Sequence, residues 1–221
     1  MLTQFSFKNF KSYKSLTQIE MQAEPEDDFE ETLLKVDNIS ERFLPVSVLY
    51  GPNGGGKTNA IEALISLITY VTNSINLLKY NKEVLKIKAT PFEFEEKNDN
   101  IVQFEIYYIV NNYEYRYKLH IQEDNIVLES LYRILLTAKK PEKIFIREKD
   151  DINIGKILEK NKVNTIVNPQ IPYLSFLAIS YNLDVIKEAI EFFEKARFIN
   201  IDSSDMIPEE FLELKSYRKI F

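Results

Sequence analysis

The sequence predicts an α/β fold: a mixed sheet, an antiparallel β-meander attached to it, and helices in the C-terminal third. Three observations carry this. "PVSVLY" (45–50) is a short apolar, β-branched run bounded by proline and glycine, the signature of a buried strand. Ile61, Leu64, Ile65, Ile68 and Val71 then recur at i, i+3, i+4, i+7 and i+10, which is one face of a helix. Residues 101–136 alternate apolar and polar around two turns, the pattern of half-buried antiparallel strands.

In chain order, residues 2–21 read as two strands around a turn, with Leu2, Phe5, Phe7 and Phe10 before "KSYKS" and Leu16, Ile19 and Met21 after it. Residues 22–45 read as an exposed acidic insertion, partly ordered around "TLLKV"; six of the nine residues from Ala23 are acidic. The strand 45–50 and the amphipathic helix follow, and the helix is expected to end near "YVTNSIN", where β-branched residues and asparagines gather. In the meander, Val102, Phe104, Ile106, Tyr108 and Val110 share one face. Asn111-Asn112 is a hairpin signal, and Tyr113, Tyr115, Tyr117, Leu119 and Ile121 share a face of the next strand. After "QEDN" comes a third strand, "IVLESLYRILL", and "KIFIRE" is one more before the polar turn "KDDINIG". "PYLSFLAISY" reads as a helix. So do residues 184–197, with Asp184 as N-cap and Ile186, Ala189, Ile190, Phe193 and Ala196 on one face. "IPEEFLELKSYRKIF" reads as a third, with Pro208 near its first turn.

Bulk properties exclude several classes. A chain of 221 residues holds one domain with a sizeable core. No cysteine is present, which excludes disulfides and thiolate zinc sites, and the lone His120 makes a histidine metal site or triad improbable. The net charge of −6 is unlike a dedicated DNA-binding surface, though a local patch is possible at Lys79, Lys82, Lys86 and Lys88; these read as a solvated face. No run is apolar enough to cross a bilayer and the N-terminus lacks a signal-peptide core, so the expected location is the cytoplasm, with no membrane partner.

The sharp motif is "GPNGGGKT". Gly51, four residues, then Gly56-Lys57-Thr58 satisfy the P-loop pattern. Consecutive amides of such a loop form an anion nest, and the helix behind it presents its positive end to the same point. Side chains at Gly54, Gly55 or Gly56 would obstruct the turn or the phosphate. The expected nucleotide-binding residues are Gly51, Pro52, Asn53, Gly54, Gly55, Gly56, Lys57, Thr58 and Asn59. Lys57 is the catalytic cation for the β- and γ-phosphates, and the Thr58 hydroxyl is the Mg²⁺ ligand. The implied cofactors are ATP and Mg²⁺. The alternative is a glycine-rich turn that binds nothing; the strand before and the helix after argue against it.

The loop resembles the Walker A of ABC-type ATPases, where Asn53 follows the proline. Phe10-Lys11-Ser12-Tyr13 resembles the N-terminal strand-turn of SMC and RecF-type heads, and the tyrosine-rich meander looks like their β-subdomain. By that resemblance Lys11 and Ser12 lie near the nucleotide; the alternative is an ordinary hairpin turn. "VLYGPNGGGKTNAIEAL", "PFEFE", "LESLYRILL", "IFIRE" and "YLSFLAIS" resemble AAA-labelled ATP-binding proteins of the abortive-infection and OLD type. The resemblance implies a P-loop NTPase fold of the ABC-ATPase N-terminal-lobe kind, over residues 1–170, with a helical segment at 171–221. It also implies anti-phage defence or DNA maintenance, a homodimer that sandwiches nucleotide between heads, and a nuclease, effector or DNA partner.

An ABC-type ATPase has further parts. Gln170 is the candidate Mg²⁺-sensing glutamine. "FINID" (198–202) ends in Asp202, but Ser203 stands where a Walker B strand has glutamate. His120 reads as a sheet residue, not a switch, and no LSGGQ-like segment occurs. The expectation is the first lobe of a longer ATPase, whose second lobe or dimer partner completes hydrolysis. A nucleotide-gated scaffold that controls an effector, and a stand-alone phosphotransferase, are the alternatives.

Overall fold

The computed structural model describes residues 1–24, 30–80, 89–94 and 100–198. Its frame is one seven-stranded sheet made from β1 (Leu2–Lys8), β2 (Thr17–Glu20), β5 (Val102–Val110), β6 (Tyr113–Gln122), β7 (Asn125–Leu135), β8 (Glu142–Glu148) and β9 (Asp151–Ile154), in the order β2-β1-β5-β6-β7-β8-β9. Every pairing is antiparallel. The short pair β3 (Leu34–Lys35) and β4 (Arg42–Phe43) lies in the acidic insertion. It is tied to the end of β2 by an isolated bridge between Gln22 and Phe43, and Phe43 is buried.

Helices α1 (Lys57–Tyr80), α2 (Lys156–Lys160), α3 (Tyr173–Ser180) and α4 (Asp184–Lys195) complete the fold. The alternation of the meander decides which face they cover. Val102, Phe104, Ile106 and Tyr108 of β5 and Tyr115, Tyr117 and Leu119 of β6 are fully buried together with Leu67 and Val71 of α1, Leu174 and Leu177 of α3, and Ile186 and Phe193 of α4. The rings of Tyr108 and Tyr117 each meet Phe193 edge-on, at 5.5 and 5.6 Å between centroids. The buried hydroxyls find acceptors, as they must: Tyr108 donates to the Ala189 carbonyl at 2.7 Å, and Ser175 of α3 donates to the Val71 carbonyl of α1 at 2.9 Å.

The meander and the two N-terminal strands fall where the alternation puts them. Five expectations are corrected. The sheet is antiparallel among the described residues, not mixed. Residues 46–50 form no strand: Val46, Val48 and Tyr50 are 69, 73 and 92% exposed, since no described strand lies beside them. Helix α1 runs past "YVTNSIN" to Tyr80, because Thr69, Thr72 and Ser74 turn their hydroxyls onto the carbonyls four residues back and stay compatible with the helix. Asp184 is the first helical residue of α4, behind the extended N-cap Leu183, where its charge still complements the dipole. "KDDINIG", expected as a turn, also contains β9 beyond Lys149-Asp150. The third C-terminal helix, "FINID" from Ile199 onward and the side chains of Lys79, Lys82, Lys86 and Lys88 lie outside the described residues. Among the described residues no helix is long and apolar enough to cross a membrane.

Candidate functional site

The glycine loop stands at the N-terminus of α1. Two local facts shape it. The Gly55 N–H donates to the Pro52 carbonyl at 3.2 Å, closing a turn around Asn53 and Gly54. The Ala60 N–H then donates to the Gly56 carbonyl at 3.1 Å, which starts the helix. Gly54 and Gly56 have φ of +79° and +82°, a region that costs other residues strain. The two differ in their surroundings. A Cβ at Gly54 would meet nothing within 4 Å, whereas at Gly56 it would come within 3.1 Å of Ser12 Oγ and 3.2 Å of the Tyr13 ring.

The β1–β2 turn therefore packs directly against the loop. Phe10 and Tyr13 close it through reciprocal backbone hydrogen bonds of 2.8 Å. The Tyr13 hydroxyl donates to the Gly56 carbonyl at 3.3 Å, and the Tyr13 ring meets Phe7 edge-on at 4.9 Å. Asn59 Nδ2 donates to Ser12 Oγ at 2.8 Å. Ser12, Gly56 and Asn59 are thus brought together. Lys11 is adjacent but turned onto the helix, where its ammonium pairs with Glu62 at 2.7 Å. With both side chains about a third exposed, that pair is worth under about 1 kcal/mol. The "FKSY" resemblance assigns positions near the nucleotide to Lys11 and Ser12 and none to Tyr13, whose ring is the part of the turn that packs on Gly56.

The Lys57 ammonium bridges the loop, donating to the carbonyls of Gly51 and Pro52, each at 2.8 Å. These are neutral acceptors, and a phosphate oxygen competes with them as a charged one, making the shorter and stronger bond. The first-turn amides of α1 have no intrahelical partner by geometry. The loop thus offers a cation, a helix end and free donors at one point, a fit for a polyphosphate. Mg²⁺ has no cage of its own: among the described residues no three Asp, Glu, His or Cys cluster as metal ligands. The donor set would instead be the exposed Thr58 hydroxyl plus oxygens of the nucleotide, which suits an ion that keeps its waters. Bound there, Mg²⁺ would neutralise charge on the β- and γ-phosphates.

Gln170 belongs to a different neighbourhood. Its N–H donates to Asn168 Oδ1 at 2.9 Å, and the next residue but two begins α3. The Pro169 carbonyl accepts from the Ile126 N–H of β7 at 2.8 Å. The anchor of this segment is buried and charged. Arg147, on β8, donates to the carbonyls of Ile171 at 2.8 Å, Lys149 at 2.8 Å and Asn168 at 3.3 Å. Glu129, across from it on β7, accepts from the N–H groups of Tyr173 at 2.6 Å and Leu174 at 3.0 Å, and from the Tyr117 hydroxyl at 2.9 Å. Its carboxylate therefore caps α3, 3.8 Å from the guanidinium, and both side chains are fully buried. Burial raises the Glu129 carboxyl above its ordinary range; the Leu174 and Tyr173 amides, Arg147 and Tyr117 offset part of that. Tyr117 is pushed well above its ordinary value by burial and then by Glu129. Sequence reading missed this pair, although Glu129 sits opposite the inward Leu119 in the ladder, an odd place for a carboxylate. His120 lies mid-strand in β6, paired with Gln103 and Leu128, as a sheet residue.

A nucleotide loop on the first helix, clamped by the turn of an N-terminal hairpin, defines a P-loop nucleotide-binding domain. The family described as "AAA domain, putative AbiEii toxin, Type IV TA system" matches residues 46–212. The chain belongs to that family, an ATP-binding ATPase family, which agrees with the abortive-infection resemblance. No curated protein matches the chain.

Proposed function

We propose that the chain binds MgATP at residues 51–59 and is one half of an ABC-type ATPase site of the SMC/RecF/OLD-like kind, completed by a second lobe or by a second head in a nucleotide-sandwiched homodimer. Lys57 is the phosphate-binding cation and Thr58 the Mg²⁺ ligand; Gln170, seated against Asn168 in the segment before α3, has no described contact with the loop and is left out of the site. Defence against phage or DNA maintenance in the cytoplasm, with a nuclease, effector or DNA partner, is the role this reading supports.

The observation that carries it is the apolar run leading into the loop. Val46, Val48 and Tyr50 have strand composition and are mostly exposed. A strand needs neighbours for its backbone groups and a cover for its side chains. The reading supplies both from polypeptide beyond the described residues, next to the phosphates where a Walker B carboxylate is required. Catalysis would then rest on positioning and on charge neutralisation by the loop, Lys57 and Mg²⁺.

Calorimetric titration with MgATP, together with release of phosphate from the same sample, tests this. The chain is expected to bind ATP and to turn it over barely, and Lys57→Ala is expected to lose binding by about ten- to a hundredfold, the worth of a hydrogen bond to a charged group. Absence of binding by the unmodified chain removes the nucleotide reading. Rapid turnover by this chain alone removes the dependence on outside residues.

A further inference from the structure

A cavity of about 360 Å³ opens beside the Ser12–Asn59 contact, at the first turn of α1. Its opposite wall is the chain at 90–94, with Thr90, Pro91, Glu93 and Phe94. This wall is pinned. The Lys11 N–H donates to the Thr90 carbonyl at 2.9 Å, the Phe92 N–H to Asn9 Oδ1 at 3.1 Å, and the Ala89 N–H to the Tyr70 hydroxyl at 3.4 Å. The Phe92 ring meets Phe94 edge-on at 5.6 Å. Yet Phe94 is 88% exposed. A phenylalanine held in water at a cavity rim by an anchored segment forgoes the burial that normally decides where that residue goes.

We propose that Phe94 is the stacking platform for the nucleobase of the nucleotide whose phosphates the glycine loop holds; the proposal rests on that loop being a nucleotide site. Asn59 is two residues beyond Lys57, so the cavity begins at the same helical turn that receives the phosphates. A nucleoside leaving that turn past Ser12 enters it. Lys11 also lines the cavity, with its ammonium paired to Glu62, and Glu93 on the far wall repels phosphate, which leaves that end to the uncharged part of the ligand. The volume lies at the small end of ligand sites, right for a base and sugar and too small for a whole nucleoside triphosphate. Pro91 adds apolar surface, and stacking on one ring tolerates any base.

The chain contains no tryptophan, so Phe94→Trp installs a sole reporter at the proposed contact. MgATP is expected to quench its emission, and inorganic tripolyphosphate, which carries the phosphates without a base, is not. In calorimetry, Phe94→Ala is expected to weaken ATP about tenfold, within the range of one base–aromatic stack. It should leave tripolyphosphate affinity unchanged, with Phe94→Tyr restoring ATP. Equal ATP affinity in Phe94→Ala and the unmodified chain, or equal loss of ATP and tripolyphosphate, overturns the assignment. An unmodified chain that binds neither ligand instead removes the loop reading and the platform with it. An unmodified chain that binds both, alongside a Phe94→Ala variant without change, removes the platform alone.

Discussion

Val46–Tyr50 and Val102–Val110 are both apolar runs rich in β-branched and aromatic residues, and they end in opposite states. The second is β5, with β1 on one side and β6 on the other; its inward Val102, Phe104, Ile106 and Tyr108 are fully buried. The first leads into the glycine loop with Val48 73% exposed and no place in either sheet. Composition is the same kind of signal in both. What differs is the neighbours: a hairpin brings β6 to β5 within two residues, while the run before the loop has a proline on one side and a loop that turns into a helix on the other. Strand propensity is a statement about fitting a half-buried, paired surface, and it yields a strand only where the pairing exists.

The comparison is sharpened most by attacking the buried polar anchor of the meander side. Glu129→Ala removes the cap of α3, the Tyr117 acceptor and the charge facing Arg147 in one step. Truncating one partner of a buried charged pair costs about 3–5 kcal/mol, and urea unfolding followed by circular dichroism should show a loss of that size. A loss below about 1 kcal/mol would mean that Arg147 and the α3 amides are rewired, and that the sheet does not depend on this anchor.

How far the sequence was legible follows the same division. Local periodicity found β5, β6 and β7 and their facing residues, because hairpin partners are also sequence neighbours and alternation reports burial directly. The register of Gly51, Gly56, Lys57 and Thr58 found the loop, because a phosphate nest is built from contiguous backbone. Periodicity had nothing to say about the contacts between distant segments. Tyr13 against Gly56, Arg147 on the carbonyl of Ile171, and the pinning of residues 89–94 by Asn9 and Tyr70 join elements far apart in the chain. Polarity gave no warning of Glu129 and Arg147 either, since a charge in an inward position is rare and takes its meaning from partners elsewhere.

On the loop side the next effect, after the loss expected for Lys57→Ala, is at Gly56. Gly56→Ala places a Cβ 3.1 Å from Ser12 Oγ and 3.2 Å from the Tyr13 ring, at a φ of +82°. The left-handed conformation alone costs about 1–2 kcal/mol, so ATP affinity should fall by roughly tenfold while most of the fold's stability remains. Gly54→Ala is its control: the φ is similar, but no atom lies within 4 Å. If the two variants lose ATP equally, strain alone matters and the hairpin turn does not clamp the loop.

A smaller effect separates the two regions by pH. The Glu129 carboxyl is raised in the folded state, so the folded protein holds that proton more tightly than the unfolded chain does. Unfolding then releases a proton, and stability falls as pH rises from the ordinary carboxyl value, about 4.3, through the raised one. The stabilisation is complete below the unfolded value and gone above the folded one. Glu129→Gln has no such proton, so the difference in unfolding free energy from urea titrations between it and the unmodified chain should change across that window, by less than about 1.4 kcal/mol per pH unit, and flatten on either side. A difference independent of pH would mean the carboxyl titrates alike in both states.

The smallest expected effect is the most direct test of the opening contrast. Val48→Ser in an exposed, unpaired run should alter stability by no more than about 0.5 kcal/mol, the usual scale of a surface substitution. The same change at Ile106, buried between β1 and β6, removes most of a core side chain, exposes a hydroxyl to an apolar interior and should cost about 2–5 kcal/mol. Both variants are read by urea unfolding of the same 221-residue chain. If Val48→Ser costs more than about 1 kcal/mol, residues 46–50 are paired in solution by something within this chain, and the proposed need for an outside partner strand falls. A cost within that limit leaves residues 46–50 unpaired in this chain, the condition that the proposed outside partner strand requires.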